Sequence, residues 1–239
     1  MREDLKVIPN LSIDCVIFGY SEGELKVLLR RELIDYQNEI HTEWKLPGNH
    51  VRLTERIEDT AIRVLKEQAG AEKIFMKQFK VFSELDRLKR RQMDYEWIKQ
   101  KGLKSERVIT VAFYSLVKLS NFDSSKLLNV AEWHNVNEVS TLIFDHKEIL
   151  NDALIRLKDD IISHPLAFEL LPKKFTLTQL QNVYEVILNI KYDKRNFRRK
   201  LQNFKYIISC NEKQYGVAHK APELFRFDAK MYSRIHEKI

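Results

Sequence analysis

Residues 48–71 read GNHVRLTERIEDTAIRVLKEQAGA, and this stretch decides the fold. Ile57, Ala61, Val64, Leu65 and Ala69 recur at helical spacing, so residues 55–69 are expected to form an amphipathic helix. Gly70 follows as the residue suited to its C-terminal cap. Just upstream, Trp44, Leu46, Pro47 and Gly48 read as a short strand entering a turn. Further back, two β-rich apolar runs, 13–18 and 25–29, flank Gly23 and predict a hairpin. Residues 32–43 between these features are polar and read as a loop. Downstream, 75–85 reads as one strand or two short ones, 108–117 as a buried strand, and 131–139 as a last strand containing Trp133. The stretch 87–106 is highly charged and reads as a short helix or a loop. Residues 145–163 carry Ile149, Ala153, Leu157 and Ile161 along one face and predict a helix with Asp145 at its start.

The composition narrows the function classes. The chain has 239 residues, enough for one large domain or two small ones, with 44% hydrophobic and 31% charged residues. That balance belongs to a globular chain and excludes a disordered one. No apolar run approaches the ~20 residues of a membrane helix. The first ten residues are charged and lack the apolar core of a signal peptide. Cys15 and Cys210 stand too far apart in sequence to suggest a disulfide framework or a zinc cluster, and are expected to be reduced thiols in a cytoplasmic protein.

The formal net charge is +7, and its distribution is uneven. Residues 166–239 hold 15 Lys and Arg against 7 Asp and Glu, whereas residues 1–165 hold 26 against 27. A near-neutral region is therefore joined to a basic one, and a basic module of this kind is suited to nucleic acid. His164-Pro165 ends the preceding helix and marks the boundary. Thr176-Leu-Thr-Gln179 is a capping box that opens a helix to about Leu188. Asp193 can cap a second helix over 194–204. Extended runs at 206–210 and 224–227 follow, with Gly216 and Pro222 between them. Helix, helix and hairpin is the order of a winged helix-turn-helix.

In the second helix, Phe197, Leu201 and Phe204 form a stripe suited to a core. Lys194, Arg195, Asn196, Arg198, Arg199 and Lys200 occupy much of the remaining surface. A recognition helix presents such residues to the major groove. Arginine pairs with guanine and asparagine with adenine, while other cations hold phosphates. Arg195, Asn196 and Arg199 are the candidate base readers. Lys194, Arg198 and Lys200 are candidate phosphate contacts, as are Lys213 and Lys220 of the wing.

The segment 48–71 resembles the Nudix box, G-x5-E-x7-R-E-U-x-E-E-x-G-U, where U is aliphatic. Glu55, Arg63, Leu65, Glu67 and Gly70 fall on family positions, and Gly48 follows the expected Leu46-Pro47. The departures are Asn49 for the first glycine, Val64 for the glutamate after the arginine, and Gln68 for the second paired glutamate. Those glutamates help to hold divalent cations, which prefer carboxylate oxygens. Val64 offers no ligand and Gln68 only a neutral carbonyl, so the resemblance implies no metal cofactor and lost or weak hydrolysis. Glu55 and Arg63 then read as an ion pair bracing the loop. The segment 170–204 resembles the C-terminal winged helix of Nudix-related transcriptional regulators, and the two likenesses together cover about 11–228.

The resemblance implies an α/β fold, a Nudix α/β/α sandwich followed by a winged helix-turn-helix, arranged as 1–145 sensing domain, 146–165 connecting helix and 166–239 DNA-binding domain. It implies a homodimer on an inverted-repeat operator, with a small molecule in the old substrate cleft. The effectors implied are a pentose such as arabinose, towards which the segments 13–19 and 142–146 lean, or ADP-ribose, whose phosphates Arg30, Arg31 and Arg87 could face. His50, Glu67, Glu84, Asp86 and Arg107 are the candidate effector-binding residues. The segment 88–104 is longer than expected for the sugar-responsive branch, and reads as a lid, a dimer contact or a loop. The alternative function is an active Nudix hydrolase of a nucleoside diphosphate-linked substrate.

Overall fold

The computed structural model describes residues 6–21, 23–70, 74, 76–102, 107–122, 127, 130–216 and 221–236. The chain divides within one helix into two compact units, 1–156 and 157–239.

The first unit is built on a mixed sheet of seven strands. β1 (Val7–Ser21) and β2 (Glu24–Tyr36) form the expected hairpin about Gly23. β3 (Glu39–Lys45) continues the sheet beyond β2, and β4 (Gly48–Arg52) pairs with β1. β5 (Lys77–Phe82) lies at the other edge, beside β6 (Ile109–Lys118), and β6 runs parallel to β1. β7 (Ala131–Asn135) pairs with β2.

β1 is buried on both faces, as a central strand is. Ile13, Cys15 and Ile17 pack with Ala61, Val64, Leu65 and Ala69 of α1 (Ile57–Ala69). On a second cluster, Ile34, Leu88, Val108, Ile143 and Phe144 pack with Met93, Trp97 and Ile98 of α2 (Gln92–Gln100). Cys15 and Cys210 are both free thiols, the first buried and the second half-buried.

One reading needs correction. Residues 32–43 are not a loop: β2 runs to Tyr36 and turns directly into β3. The turn is the pair Gln37 and Asn38, both at positive φ (56° and 63°), the geometry of a two-residue hairpin turn. The usual Asn-Gly signature is absent, and the inward position Glu32 carries a charge, which hid the alternation. The charged segment 88–104 contains α2, with 103 and 104 outside the described residues.

α3 (His146–Ser163) buries Ile149, Leu150, Ala153, Leu157 and Ile161. The second unit continues with α4 (Leu166–Glu169), α5 (Leu177–Leu188), α6 (Lys194–Leu201), a β8 (Ile207–Lys213) and β9 (Glu223–Phe227) hairpin, and α7 (Ala229–His236). Its core gathers Leu170, Phe175, Leu180, Val183, Ile187, Phe197 and Leu201. Thr176 caps α5 through the capping box with Gln179, and Asp193 caps α6 through the Asn196 N–H. α6 stops at Leu201, three residues short of the expected end. Phe204 lies beyond it, stacked on Tyr206 with ring centroids 5.2 Å apart.

Candidate functional site

Two places concentrate polar side chains: a cleft in the first unit and the outer face of α6 in the second. The cleft is a cavity of about 370 Å³ walled by β1, β2, the β3–β4 turn, α2 and the start of α3.

The α1 side of the cleft is closed by internal bonds. Arg63 Nε and Nη2 donate to the Glu55 carboxylate at 2.7 and 2.9 Å, and Nη2 also donates to the His50 carbonyl at 3.0 Å. Thr60 adds a hydroxyl donor to Glu55 at 2.9 Å. The Arg63 hydrogen bond, against the effect of partial burial, holds the Glu55 carboxyl below its ordinary value. The pair ties the loop after β4 to α1. Gln68 is engaged on both sides of one residue: its Oε1 accepts from Gly48 N–H at 3.1 Å and its Nε2 donates to the Gly48 carbonyl at 3.0 Å.

Gly48 is required by space. A Cβ there would lie 2.3 Å from Asp14 Oδ1 and 2.6 Å from the Ile13 carbonyl. Gly70 ends α1 in the left-handed region (φ 61°), its N–H bonded to the Leu65 carbonyl.

These contacts test whether a divalent metal fits here. Val64 is fully buried among core side chains and presents nothing to a metal. Gln68 has both amide atoms engaged. Glu67 is exposed and pairs with Arg63 at 3.3 Å and Arg52 at 3.5 Å. Glu55 carries the Arg63 brace. This donor set does not fit a bridging metal site.

Deeper in the cleft, Asp14, Arg87, Asp145 and His146 form a buried network. Asp145 takes Arg87 Nε and Nη2 at 2.8 and 2.9 Å, and Asp14 faces Arg87 Nη2 at 3.4 Å. His146 Nδ1 accepts the Leu46 N–H at 3.0 Å, which leaves its proton for Nε2, 3.5 Å from Asp14 Oδ1. Burial pushes the His146 imidazole below its ordinary 6.5, against the pull of Asp14. Burial alone would raise the Asp14 carboxyl, but His146 and Arg87 beside it hold it low.

The outer wall carries Arg30, Glu32, Lys45, Trp97 and Lys101. Glu32 accepts from Lys45 at 2.8 Å and from the Trp97 indole N–H at 3.2 Å, with Lys101 at 3.4 Å. Burial opposes ionisation of Glu32, yet Lys45 prevails and its carboxyl is lowered. Burial also lowers the Lys45 ammonium, with Glu32 opposing.

Of the five expected effector-binding residues, His50 lines this cavity. Glu67 sits outside it on α1. Glu84 lies in a separate groove with Glu148 and Asp152. Asp86 is in the exposed turn before Arg87, and Arg107 is exposed just before β6, its carbonyl accepting from the Asn10 amide. Arg30 and Arg87 line the cleft, whereas Arg31 points to the exposed face of β2. Sequence reasoning missed Asp14, Glu32, Lys45, Trp97, Lys101 and His146. The readable signals were Arg30 and Glu32 two apart on one strand face, and Trp97 and Lys101 at i, i+4.

α6 has the opposite character. Phe197 and Leu201 are buried, with Phe197 packed near the rings of Tyr184 and Tyr192. Glu185 of α5 fixes the approach to α6 by accepting from the Tyr192 N–H at 2.9 Å and from Gln181 at 2.7 Å. Lys194, Arg195, Asn196, Arg198, Arg199 and Lys200 are all exposed. Among the described residues, no hydrogen bond or ion pair engages the head groups of Lys194, Arg195, Arg198 or Arg199, and Lys200 lies 5.8 Å from the Tyr192 ring centre. Lys213 is exposed at the end of β8, and Lys220 lies outside the described residues.

Comparison with known proteins agrees with both halves. Residues 9–154 match the family described as the NUDIX domain, and residues 167–227 match the NrtR DNA-binding winged helix domain. The chain is similar to the ADPR responsive transcriptional repressor NtrR of Acinetobacter baylyi, at 27% identity over 230 residues, covering 94% of this chain and 84% of the relative. In fold it is similar to Shewanella oneidensis NrtR complexed with a 27mer DNA, with a TM-score of 0.65 at 22% identity over 93% of this chain and 95% of that one. It is also similar to a MutT/nudix family protein from Enterococcus faecalis, with a TM-score of 0.61 at 23% identity over 92% and 87%. The chain belongs to the NUDIX domain family, here joined to a winged helix domain of the NrtR type.

Proposed function

We propose that this chain is a DNA-binding transcriptional repressor whose Nudix cleft binds ADP-ribose as a signal and does not hydrolyse it. The observation that carries the reading is a contrast within one chain. The polar groups of α1, on which metal-dependent hydrolysis would rest, are engaged in bracing the fold, and Val64 is in the core. The cations of α6 are exposed, and among the described residues Lys194, Arg195, Arg198 and Arg199 have no hydrogen bond or ion pair. The name of the Acinetobacter baylyi relative supports both the repressor sense and ADP-ribose. ADP-ribose is preferred to the pentose because the cleft wall carries Arg30, Lys45 and Lys101, cations suited to a polyanion.

In this reading Arg195, Asn196 and Arg199 read base edges, and Lys194, Arg198, Lys200, Lys213 and Lys220 hold phosphates. The chain acts as a cytoplasmic homodimer on an inverted repeat, protein symmetry matching operator symmetry. Among the described residues no helix is long and apolar enough to cross a membrane.

The test is selection of genomic fragments on the immobilised protein, followed by binding of the enriched site with and without ADP-ribose. The expected outcome is one inverted-repeat site, released by ADP-ribose. Mg²⁺-dependent hydrolysis of ADP-ribose by the same preparation would replace this reading with an active hydrolase.

A further inference from the structure

The helix inserted between β5 and β6 is tied to its unit by Asp94, which accepts the Phe144 N–H, and by Gln100, which bonds Asp35, and its C-terminal end meets the cleft at the Glu32 carboxylate. Trp97 and Lys101, one turn apart at the end of α2, both line the cavity. Glu32 on β2 accepts the Trp97 indole N–H at 3.2 Å and faces Lys101 Nζ at 3.4 Å. The same carboxylate takes Lys45 Nζ at 2.8 Å, and that ammonium lies 4.7 Å from the centre of the Trp97 ring. Arg30, two residues before Glu32 on the same face, also lines the cavity. Its Nε is buried with no hydrogen-bond partner among the described residues.

Two ammonium groups therefore share one carboxylate, and Arg30 lines the same wall with its Nε unpartnered among the described residues. The arginine deeper in the cleft is different: Arg87 is already matched by Asp145 and Asp14. The deficit of negative charge is confined to the outer wall. Buried donors without acceptors are costly, and clustered guanidinium and ammonium groups are satisfied best by a polyanion with several oxygens.

Resting on the ADP-ribose reading, we propose that Arg30, Lys45 and Lys101 form the subsite for the effector's diphosphate, and that Glu32 is the internal counter-ion this diphosphate displaces. On binding, Lys101 exchanges the Glu32 carboxylate for a phosphate oxygen. Trp97 then loses its ammonium neighbour or its hydrogen bond, and the C-terminal end of α2 contacts the ligand in place of Glu32. Two substitutions pull in opposite directions. Lys101→Ala removes a ligand contact, whereas Glu32→Gln removes a competitor while keeping a hydrogen-bond acceptor for Trp97.

The experiment titrates the full chain with ADP-ribose and separately with inorganic pyrophosphate, by calorimetry and tryptophan fluorescence. Trp97→Phe assigns the optical signal. The expected result is binding of both probes, weakened about tenfold in Lys101→Ala, unchanged or tighter in Glu32→Gln, with the fluorescence change lost in Trp97→Phe. A scaffold role for Glu32 would instead weaken binding in Glu32→Gln. Lys101 is half exposed, so Lys101→Ala keeps the test open should Glu32→Gln fail to fold. Wild-type binding that is undiminished in Lys101→Ala overturns the subsite and leaves the effector reading intact. Pyrophosphate binding that depends on Lys101, with ADP-ribose inert, upholds the subsite and overturns ADP-ribose. Failure of both probes on the wild-type chain overturns the subsite.

Discussion

α1 and α6 are both short amphipathic helices with polar outer faces, yet they use those faces in opposite ways. α1 turns its polar residues back on its own unit: Arg63 to Glu55 and the His50 carbonyl, Gln68 to Gly48. α6 has buried Phe197 and Leu201 and an Asp193 cap to hold it, and among the described residues Lys194, Arg195, Arg198 and Arg199 reach outward without an ion pair. Five like charges on eight residues repel one another, so packing and the cap must carry the helix. The difference teaches where each helix acts. Substitutions in α1 should register in stability, and substitutions in α6 in binding to DNA.

The sharpest way to break this contrast is Val64→Glu. The family's box has a glutamate at this position, but here it would bury a carboxylate in the core, with a loss of about 3–5 kcal/mol in unfolding free energy. Urea denaturation checks it, and wild-type stability in that variant would mean that α1 presents another face. The next effect is on DNA. Unengaged cations that neutralise phosphates release counter-ions, so operator affinity should fall roughly a hundredfold or more between about 50 and 200 mM salt. A flat profile would remove the phosphate contacts assigned to α6.

Arg199→Ala sharpens the same contrast at one residue. Operator affinity should weaken by about 1–3 kcal/mol, with unfolding free energy unchanged within about 0.5 kcal/mol. A loss of stability of the same size would make Arg199 a brace like Arg63. The smallest expected effect concerns His146. Its folded pKa is lowered, so the unfolded chain takes up a proton near pH 6.5 that the folded chain refuses. The contribution of the neutral ring is complete above that pH and declines as pH falls through the window down to the folded value. His146→Gln, which can still accept the Leu46 N–H, should flatten that part of the Tm–pH profile. An unchanged slope would assign the acid sensitivity to carboxylates alone.

Much of the fold was legible because it rests on local rules. Thr176 with Gln179, Asp193 before α6, and Gly70 after α1 are caps that a sequence states directly. The β2–β3 hairpin was missed because Gln37-Asn38 stands where glycine is usual, and because Glu32 is charged yet buried. The cleft was less legible than α6. α6 presents neighbours in sequence on one surface, whereas the cleft joins Arg30, Lys45, Trp97 and His146 from four separate stretches. Glu84, Asp86 and Arg107 were named by their position in the sequence alone, but direction decides access. The β5 edge and its turn carry Glu84 and Asp86 away from the cavity that Arg87, their close neighbour, enters.

Gly48 separates two things that a signature usually merges. No side chain fits between it and Asp14, whatever happens at phosphorus or metal. Its tolerance to change is set by the thickness of two adjoining strands and would be the same in a catalyst and in a receptor. Val64 carries the opposite kind of information, since its side chain belongs to the core and offers no oxygen to a metal. A pattern scored as a whole therefore ranks chains by shape, and only its few ligand-bearing letters say whether the shape still performs a reaction.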